Sequence, residues 1–395
     1  MSKGRRKQSS PAAATAPAPH APRSAARQAA PTWHVWACTA ALVIGTLIAF
    51  APAFHAEFIR WDDTEYVKEN ALLRDASGLM DIWRPLSNKL PQYYPLTFSS
   101  YWIEYRLWQL APSGYHITNV VLHAISAVLV LHLLRTLGAS LWIAFGAAAV
   151  FALHPVQVES VMWVTERKNT LSGCFFLLAF LAYLRHRRTG RWVPYGLCLL
   201  LFVCALLSKT QTVSLPVVIA CTEWLLQRSA RLPHANASAV AARVVPLLML
   251  GLLSTLLTTA VERQMMVSWV QLPALPERAL IAANAVWYYI ASFIAPLQLA
   301  PIAPKWSVTV IDPKWWVAPC ALVAVAVCLV RWYSKMGDLV LWGGATFVIA
   351  LMPALGVVPF TYQHYSYVAM RFLYLSCIGG GVVLAVLADW LAGAG

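Results

Sequence analysis

Seven consecutive residues, Arg60-Trp61-Asp62-Asp63-Thr64-Glu65-Tyr66, place two adjacent carboxylates a few residues beyond a long apolar run over 33–54. Neighbouring side chains point in different directions on a helix or a strand, so one acid can act as a base while the other orients the segment. Acids are scarce in this chain, with 16 in 395 residues. Eight of them (Glu57, Asp62, Asp63, Glu65, Glu69, Asp75, Asp81 and Glu104) fall between His55 and Tyr115. Chemistry that needs a carboxylate is therefore concentrated in one polar segment. A pair of solvated loop acids is the plainer reading of Asp62 and Asp63. Trp61 and Tyr66 weigh against it, because aromatic residues of this kind hold a segment at a membrane–water boundary.

A second group runs from His154 to Asn169, HPVQVESVMWVTERKN. Pro155 suits the first position of a helix, and on such a helix Glu159, Trp163, Glu166 and Thr170 share one face. Arg167 and Lys168 then project elsewhere, toward the interface. Two cations beside two acids suit an anionic headgroup such as the phosphate of a lipid carrier. The same residues also suit a snorkelling salt-bridge cluster. Lys209, in Ser208-Lys209-Thr210-Gln211, and Arg371, in YSYVAMRF, are single cations at span ends, each suited either to a phosphate or to snorkelling. His116, Asn119, His123 and Ser126 recur every three to four residues, and such polar stripes face protein instead of lipid. Packing hydrogen bonds fit these histidines better than a metal, since no nearby cysteine or acid completes a ligand set.

The elements that must position these groups are membrane spans. With 59% apolar residues, 12% charged residues and a mean hydropathy of +0.61, the chain lies outside the range of soluble domains. Runs near 20 apolar residues match a hydrocarbon core of about 30 Å. They occur near 33–54, 116–136, 140–158, 170–184, 192–207, 211–226, 244–261, 279–297, 315–333, 338–358 and 372–392. The fold class predicted is all-α and polytopic, with about eleven transmembrane helices and a first external loop over 55–115 built from amphipathic helices. Residues 1–32 hold six basic residues and no acid amid Ala, Pro and Ser, the composition of a disordered tail held in the cytoplasm. The domain proper is 33–392. The first span then acts as a signal anchor, its length being too great for a cleaved signal peptide.

An inside N-terminus puts 55–115 outside and returns the basic loops 185–191 and 227–243 to the cytoplasm. Beyond residue 262 the alternation conflicts with Arg331 and Lys335, so either 279–297 is re-entrant or the count is off by one. Most of the net charge of +14 sits in the tail and in these loops, where orientation explains it without nucleic acid. All eight cysteines fall in apolar spans with no CxxC pair, and read as core residues. There is no Walker A loop, GxGxxG, HExxH or GxSxG. No metal is assigned: paired acids are compatible with a divalent cation, but one pair does not fill a coordination shell.

Taken together, WDDTEYVKEN, YYPLTFSSYWIEYRLW, GYHITNVVLHAISAVLVLHLLR, FALHPVQVESVMWVTERKNTLSGCFFLLAFLAYLR, LLSKTQTVSLPVV and YSYVAMRFLYLS resemble bacterial relatives of the transmembrane and tetratricopeptide-repeat O-mannosyltransferases, in the GT-C glycosyltransferase superfamily. The resemblance covers about 57–380 and is carried by the order of the motifs more than by any one. It implies a multi-pass protein of the inner (cytoplasmic) membrane with its active site toward the periplasm or exterior. It also implies inverting transfer of a sugar, mannose by analogy, from a polyprenyl-phosphate donor to an acceptor hydroxyl, a Ser or Thr of an exported protein. The family pattern carries the catalytic acid over to Asp62, with Asp63 as second choice. His154, Glu159, Glu166, Arg167, Lys168, Lys209 and Arg371 are the candidate substrate-binding residues.

Departures from the pattern are also present. Met370 stands where relatives carry an acid, Ala303 where a tyrosine is usual, and no tetratricopeptide repeats occur before Gly395. The acceptor-binding portion is then missing, carried by another protein, or unnecessary. Transfer to a lipid or glycan, a transporter or flippase for lipid-linked intermediates, and a non-catalytic scaffold remain as alternatives. A transporter calls for two related halves, whereas the acids here cluster in one early loop.

Overall fold

The computed structural model describes residues 31–85, 89–90, 92–229, 235–265, 273–297, 299–358 and 360–393. Residues 1–30 of the basic tail and Arg231 of the second basic loop lie outside the described residues. Among the described residues the chain is built from fourteen α-helices and short turns, with no strand. They are α1 Thr32–Ala49, α2 Gly78–Ile82, α3 Pro95–Trp108, α4 Pro112–Thr136, α5 Leu141–Leu153, α6 Val158–Met162 and α7 Arg167–Thr189. After these come α8 Trp192–Ser208, α9 Leu215–Arg228, α10 Ala237–Met265, α11 Leu275–Ile294, α12 Val317–Trp332, α13 Asp338–Leu351 and α14 Ser376–Gly393.

A helix lies at each of the eleven predicted span positions. Five of them (α1, α4, α10, α12 and α14) are long and apolar enough to cross a membrane by length and composition, and six if α5 and the bent segment after it form one span. The helices α10 and α12 turn apolar side chains outward, with Leu253, Leu256, Val323 and Val330 more than half exposed. In a water-soluble protein such faces would be a liability; against lipid they are ordinary. This is an all-α polytopic membrane protein.

Two elements depart from the sequence-based expectation. The third predicted span, 140–158, is not straight. The chain bends by 49° between Leu153 and Pro155, because a proline offers no N–H to the helix ladder and drives the residue before it out of the helical region; His154 accordingly has ψ 133°. The predicted single helix from Pro155 through Thr170 also does not form. It is divided into a 3-10 turn Pro155–Gln157, α6, an extended Trp163 with ψ 121° and a second 3-10 turn Val164–Glu166 before α7 begins. Tertiary partners take the backbone groups that a helix would have used. Asn119 Nδ2 donates to the Trp163 carbonyl at 3.0 Å, and the Tyr101 hydroxyl donates to the Val164 carbonyl at 3.1 Å. By contrast 279–297, for which re-entry was one option, lies largely within the continuous helix α11.

Close helix contacts are made where small residues allow them. Gly343 and Gly379 bring α13 and α14 together backbone to backbone, with no room for a Cβ at Gly379. On the polar stripe of α4, all four residues are buried. His123 meets the Tyr374 hydroxyl at 3.1 Å and the Ala152 carbonyl at 3.0 Å, a packing role that ties α4 to the segments before α14 and at the end of α5.

Among its described residues the segment 55–115, expected to be the first external loop, holds one substantial helix, α3, preceded by the short α2 and turns. α3 buries Thr97, Phe98, Tyr101 and Glu104 while exposing Ile103 and Leu107. It is anchored at its start, where Thr97 Oγ1 donates to the Ser208 carbonyl at 3.0 Å. Toward its end Glu104 pairs with Arg167 at 2.9 Å. That pairing corrects the expectation that Arg167 projects to the interface. Arg167 is fully buried, and its guanidinium is shared among Glu104, the Asn119 side chain at 2.5 Å and the Tyr115 carbonyl at 2.8 Å. A buried guanidinium demands such a complete partner set, and here the set clamps α3 and α4 to the first turn of α7.

Candidate active site

Next to α3 lies a cavity of about 690 Å³ whose wall includes Asp62, Glu166, Lys168, Lys209 and Arg371. The sequence scatters these five residues over more than 300 positions. Asp62 ends the loop after the first helix, Glu166 closes the 3-10 turn before α7, and Lys168 lies in the first turn of α7. Lys209 caps α8, and Arg371 lies in the 3-10 turn Met370–Leu373 before α14.

The two adjacent acids have separate fates. Asp63 is fully buried. Its Oδ2 accepts the Ile59 N–H at 2.9 Å and its Oδ1 accepts the Thr165 N–H at 3.0 Å. Burial raises its carboxyl above the ordinary range, against the two N–H donors, which lower it. Asp63 does not line the cavity. Asp62, with its side chain 26% exposed, does, and its Oδ2 lies 3.7 Å from Lys168 Nζ. By fastening the loop to Thr165, Asp63 frees its neighbour to face the other way.

Glu166 is the hub of the cationic side. Lys168 Nζ lies 3.3 Å and Arg371 Nε 3.5 Å from its Oε1, and Lys209 Nζ lies 3.4 Å from its Oε2. Burial alone would raise its carboxyl, but Lys168, Lys209 and Arg371 together bring it below the ordinary range. Asn169 organises the same group, donating to Glu166 at 2.8 Å and accepting from Lys209 at 2.6 Å. Arg371 also pairs with Glu159, whose Oε2 accepts the Arg371 N–H at 2.9 Å. Burial opposes its charge, yet Glu166 and Glu159 outweigh that and hold it protonated. Lys209 shows the reverse balance: burial, aided by Lys168 and Arg371, lowers its ammonium to about 8 despite Glu166.

Three cations therefore share one carboxylate at the cavity wall. An anion that enters meets donors already positioned, and Glu166 keeps them from repelling one another beforehand. Aromatic rings close one side, with Trp61 5.8 Å from both Trp163 and Tyr365, and Arg371 lies 4.1 Å over Tyr362.

Of the predicted site residues, Asp62, Glu166, Lys168, Lys209 and Arg371 come together here. Glu159 supports Arg371 from behind. Arg167 and Asp63 hold the scaffold, as does His154, whose Nε2 contacts the Phe293 carbonyl at 2.8 Å and whose ring stacks on Phe293. Sequence reasoning passed over Gln92, which meets Lys168 at 3.4 Å and the Tyr66 hydroxyl at 3.0 Å. It also passed over Glu262 on the last turn of α10. The sequence held a signal for Glu262, an acid one residue past an apolar run in step with Thr255, Thr258 and Thr259.

No family model matches the chain. Curated relatives do. A Drosophila melanogaster protein named protein O-mannosyl-transferase Tmtc2 is 32% identical over 178 residues, 40% of this chain and 19% of the fly protein. The human protein O-mannosyl-transferase TMTC3 is 29% identical over 204 residues, 49% of this chain and 22% of its own length. Human TMTC4, of the same name, is 33% identical over 168 residues, 36% of this chain and 22% of its own. The matched part thus spans only about a fifth of each of these relatives. Across that part, the chain is a relative of proteins named protein O-mannosyl-transferases.

Proposed function

We propose that the chain is a glycosyltransferase that moves a mannosyl group from a polyprenyl-phosphate donor to a Ser or Thr hydroxyl of a protein, with inversion at the anomeric carbon. The observation that carries this reading is a partly exposed carboxylate, Asp62, that shares one cavity with three buried cations and lies beside one of them, Lys168. The relatives' names supply the sugar and the protein acceptor.

In this mechanism Asp62 takes the proton from the acceptor hydroxyl as its oxygen bonds to the anomeric carbon. The bond from that carbon to the phosphate oxygen breaks, and its electron pair leaves with the polyprenyl phosphate. The phosphate thereby gains one negative charge. Lys168, Lys209 and Arg371 stabilise that gain, which is larger in the transition state than in the bound donor. Glu166 and Glu159 hold the cations, and Asp63 holds the loop that carries the base.

The cavity is assigned to the face away from the cytoplasm. α7 starts at the site with Arg167 and ends at Thr189, amid Arg185, Arg187, Arg188 and Arg191. At 1.5 Å per residue its 23 residues span about 34 Å, enough to place that basic end on the opposite side of the membrane, where the positive-inside rule puts it in the cytoplasm. The experiment is transfer from radiolabelled polyprenyl-phosphate mannose to membrane protein acceptors by wild type and by Asp62→Asn at matched expression. Transfer lost in Asp62→Asn with donor binding retained supports the reading. Absence of transfer by wild type, or transfer unchanged in the variant, sinks it.

A further inference from the structure

Glu262 lines the same cavity from a different element, α10, and the mechanism above gives it no task. It is 8% exposed, lies in the last turn of α10 and lines the cavity. Among the described residues no salt bridge includes it, and its electrostatic neighbours are the Thr361 backbone and the more distant Lys168. An acid at the end of a membrane-spanning helix is costly to retain and, where it faces a cavity, marks a ligand or a pathway.

The surroundings narrow the ligand. Thr255, Thr258 and Glu262 follow at helical spacing on one face of α10, and with Thr259 all of them line the cavity. The Thr258 and Thr210 hydroxyls are 2.7 Å apart, and Thr210 directly follows Lys209. A wall of hydroxyls and one carboxylate therefore begins beside a phosphate cation and continues along α10. A polyprenyl tail has no use for such a wall; Met352, Pro353 and Val358, elsewhere on the lining, suit it better. The group attached to the donor's phosphate on its other side is a sugar. Its vicinal hydroxyls donate, and the Glu262 carboxyl group offers them acceptor oxygens.

We propose that Glu262, with Thr258 and Thr259 beside it, binds hydroxyls of the donor's sugar and sets which sugar is accepted. This rests on the transfer reading above and names the part of the cavity that reads the substrate. A site built to accept a particular pair of hydroxyls discriminates against an epimer whose hydroxyls point elsewhere, because the buried acceptor is then left unpaired.

The test compares wild type, Glu262→Gln and Glu262→Asp with mannosyl and glucosyl polyprenyl phosphates, each variant checked for an unchanged melting temperature. Glu262→Gln replaces one acceptor oxygen with a donor. It is expected to raise KM for the preferred donor about 10–100-fold, to narrow the preference between the two sugars, and to leave affinity for polyprenyl phosphate without sugar unchanged. Glu262→Asp, which keeps the carboxyl group but withdraws it by one methylene, falls between. An unchanged preference in Glu262→Gln overturns the proposal. An equal loss of affinity for the bare carrier does the same, since Glu262 would then support the phosphate cations. Should wild type transfer neither sugar, the transfer reading fails, and binding alone judges Glu262: equal affinity of wild type for the mannosylated and bare carriers overturns the sugar subsite.

Discussion

The Thr165 N–H donates to Asp63 Oδ1 at 3.0 Å across 102 positions of sequence. This bond fixes the loop after the first helix to the turn that carries Glu166, and so fixes the distance between the proposed base and the cations. Asp62 faces the cavity because its neighbour is occupied elsewhere.

The two acids should therefore fail differently when altered. Asp63→Ala leaves the Thr165 N–H without its acceptor in a buried place, while the N–H of the exposed Ile59 can turn to water. A cost of about 1–3 kcal/mol for the orphaned donor is expected, seen as a lower melting temperature in detergent. Asp62→Asn should leave the melting temperature within a degree or two and lower the transfer rate about 100-fold to 10,000-fold, the range for loss of a general base. Equal melting losses in both variants, or a rate loss confined to Asp63→Ala, would reverse the assignment.

Lys209 gives a pH signature. Its ammonium is lowered to about 8 from an ordinary 10.5, chiefly by burial, so the cavity loses one cation as pH rises through about 8. kcat/KM for the donor should fall there, and Lys209→Arg, charged at every accessible pH, should abolish that alkaline limb. The sign for stability is opposite. Between about 8 and 10.5 the unfolded chain holds a proton on Lys209 that the folded chain lacks, so folding stability from this group rises with pH in that window and is lowest below it. A rate and a melting temperature moving in opposite directions over one pH range is the pattern to measure.

Spans, polar segment and charge scarcity were legible in the sequence because they are local. Hydropathy locates a span without knowledge of its neighbours, and a helix lies at every position it indicated. The cations Lys168, Lys209 and Arg371 were legible as types, each standing at a span end. The division of labour within each pair was not. Asp62 and Asp63 are alike as residues and differ in which backbone N–H groups lie nearby, which is set by a segment 102 positions away. Arg167 and Lys168 are also adjacent cations; one clamps Glu104 and the other faces the cavity. The helix predicted from Pro155 failed for the same reason, since Asn119 and Tyr101 claim its backbone carbonyls. Glu262 was missed because the apolar run was closed one residue before it.

Arg167 and Glu104 test that division directly. Both are buried, and neither lines the cavity. Glu104→Leu leaves the Arg167 guanidinium without its carboxylate in a dry setting, a loss of about 3–5 kcal/mol. Arg167→Met strands Glu104 and frees the Asn119 and Tyr115 oxygens, with a comparable loss. In the double variant no charge is left unpaired, so part of the stability should return, and the two single losses should exceed their joint effect by well over 1 kcal/mol. Transfer per folded molecule should change little in the double variant, because the phosphate cations keep Glu166 and Asn169. A melting temperature that falls additively would show that the pair is not coupled. A transfer rate that collapses while the fold is retained would place Arg167 among the groups that meet the donor, as its sequence position suggested.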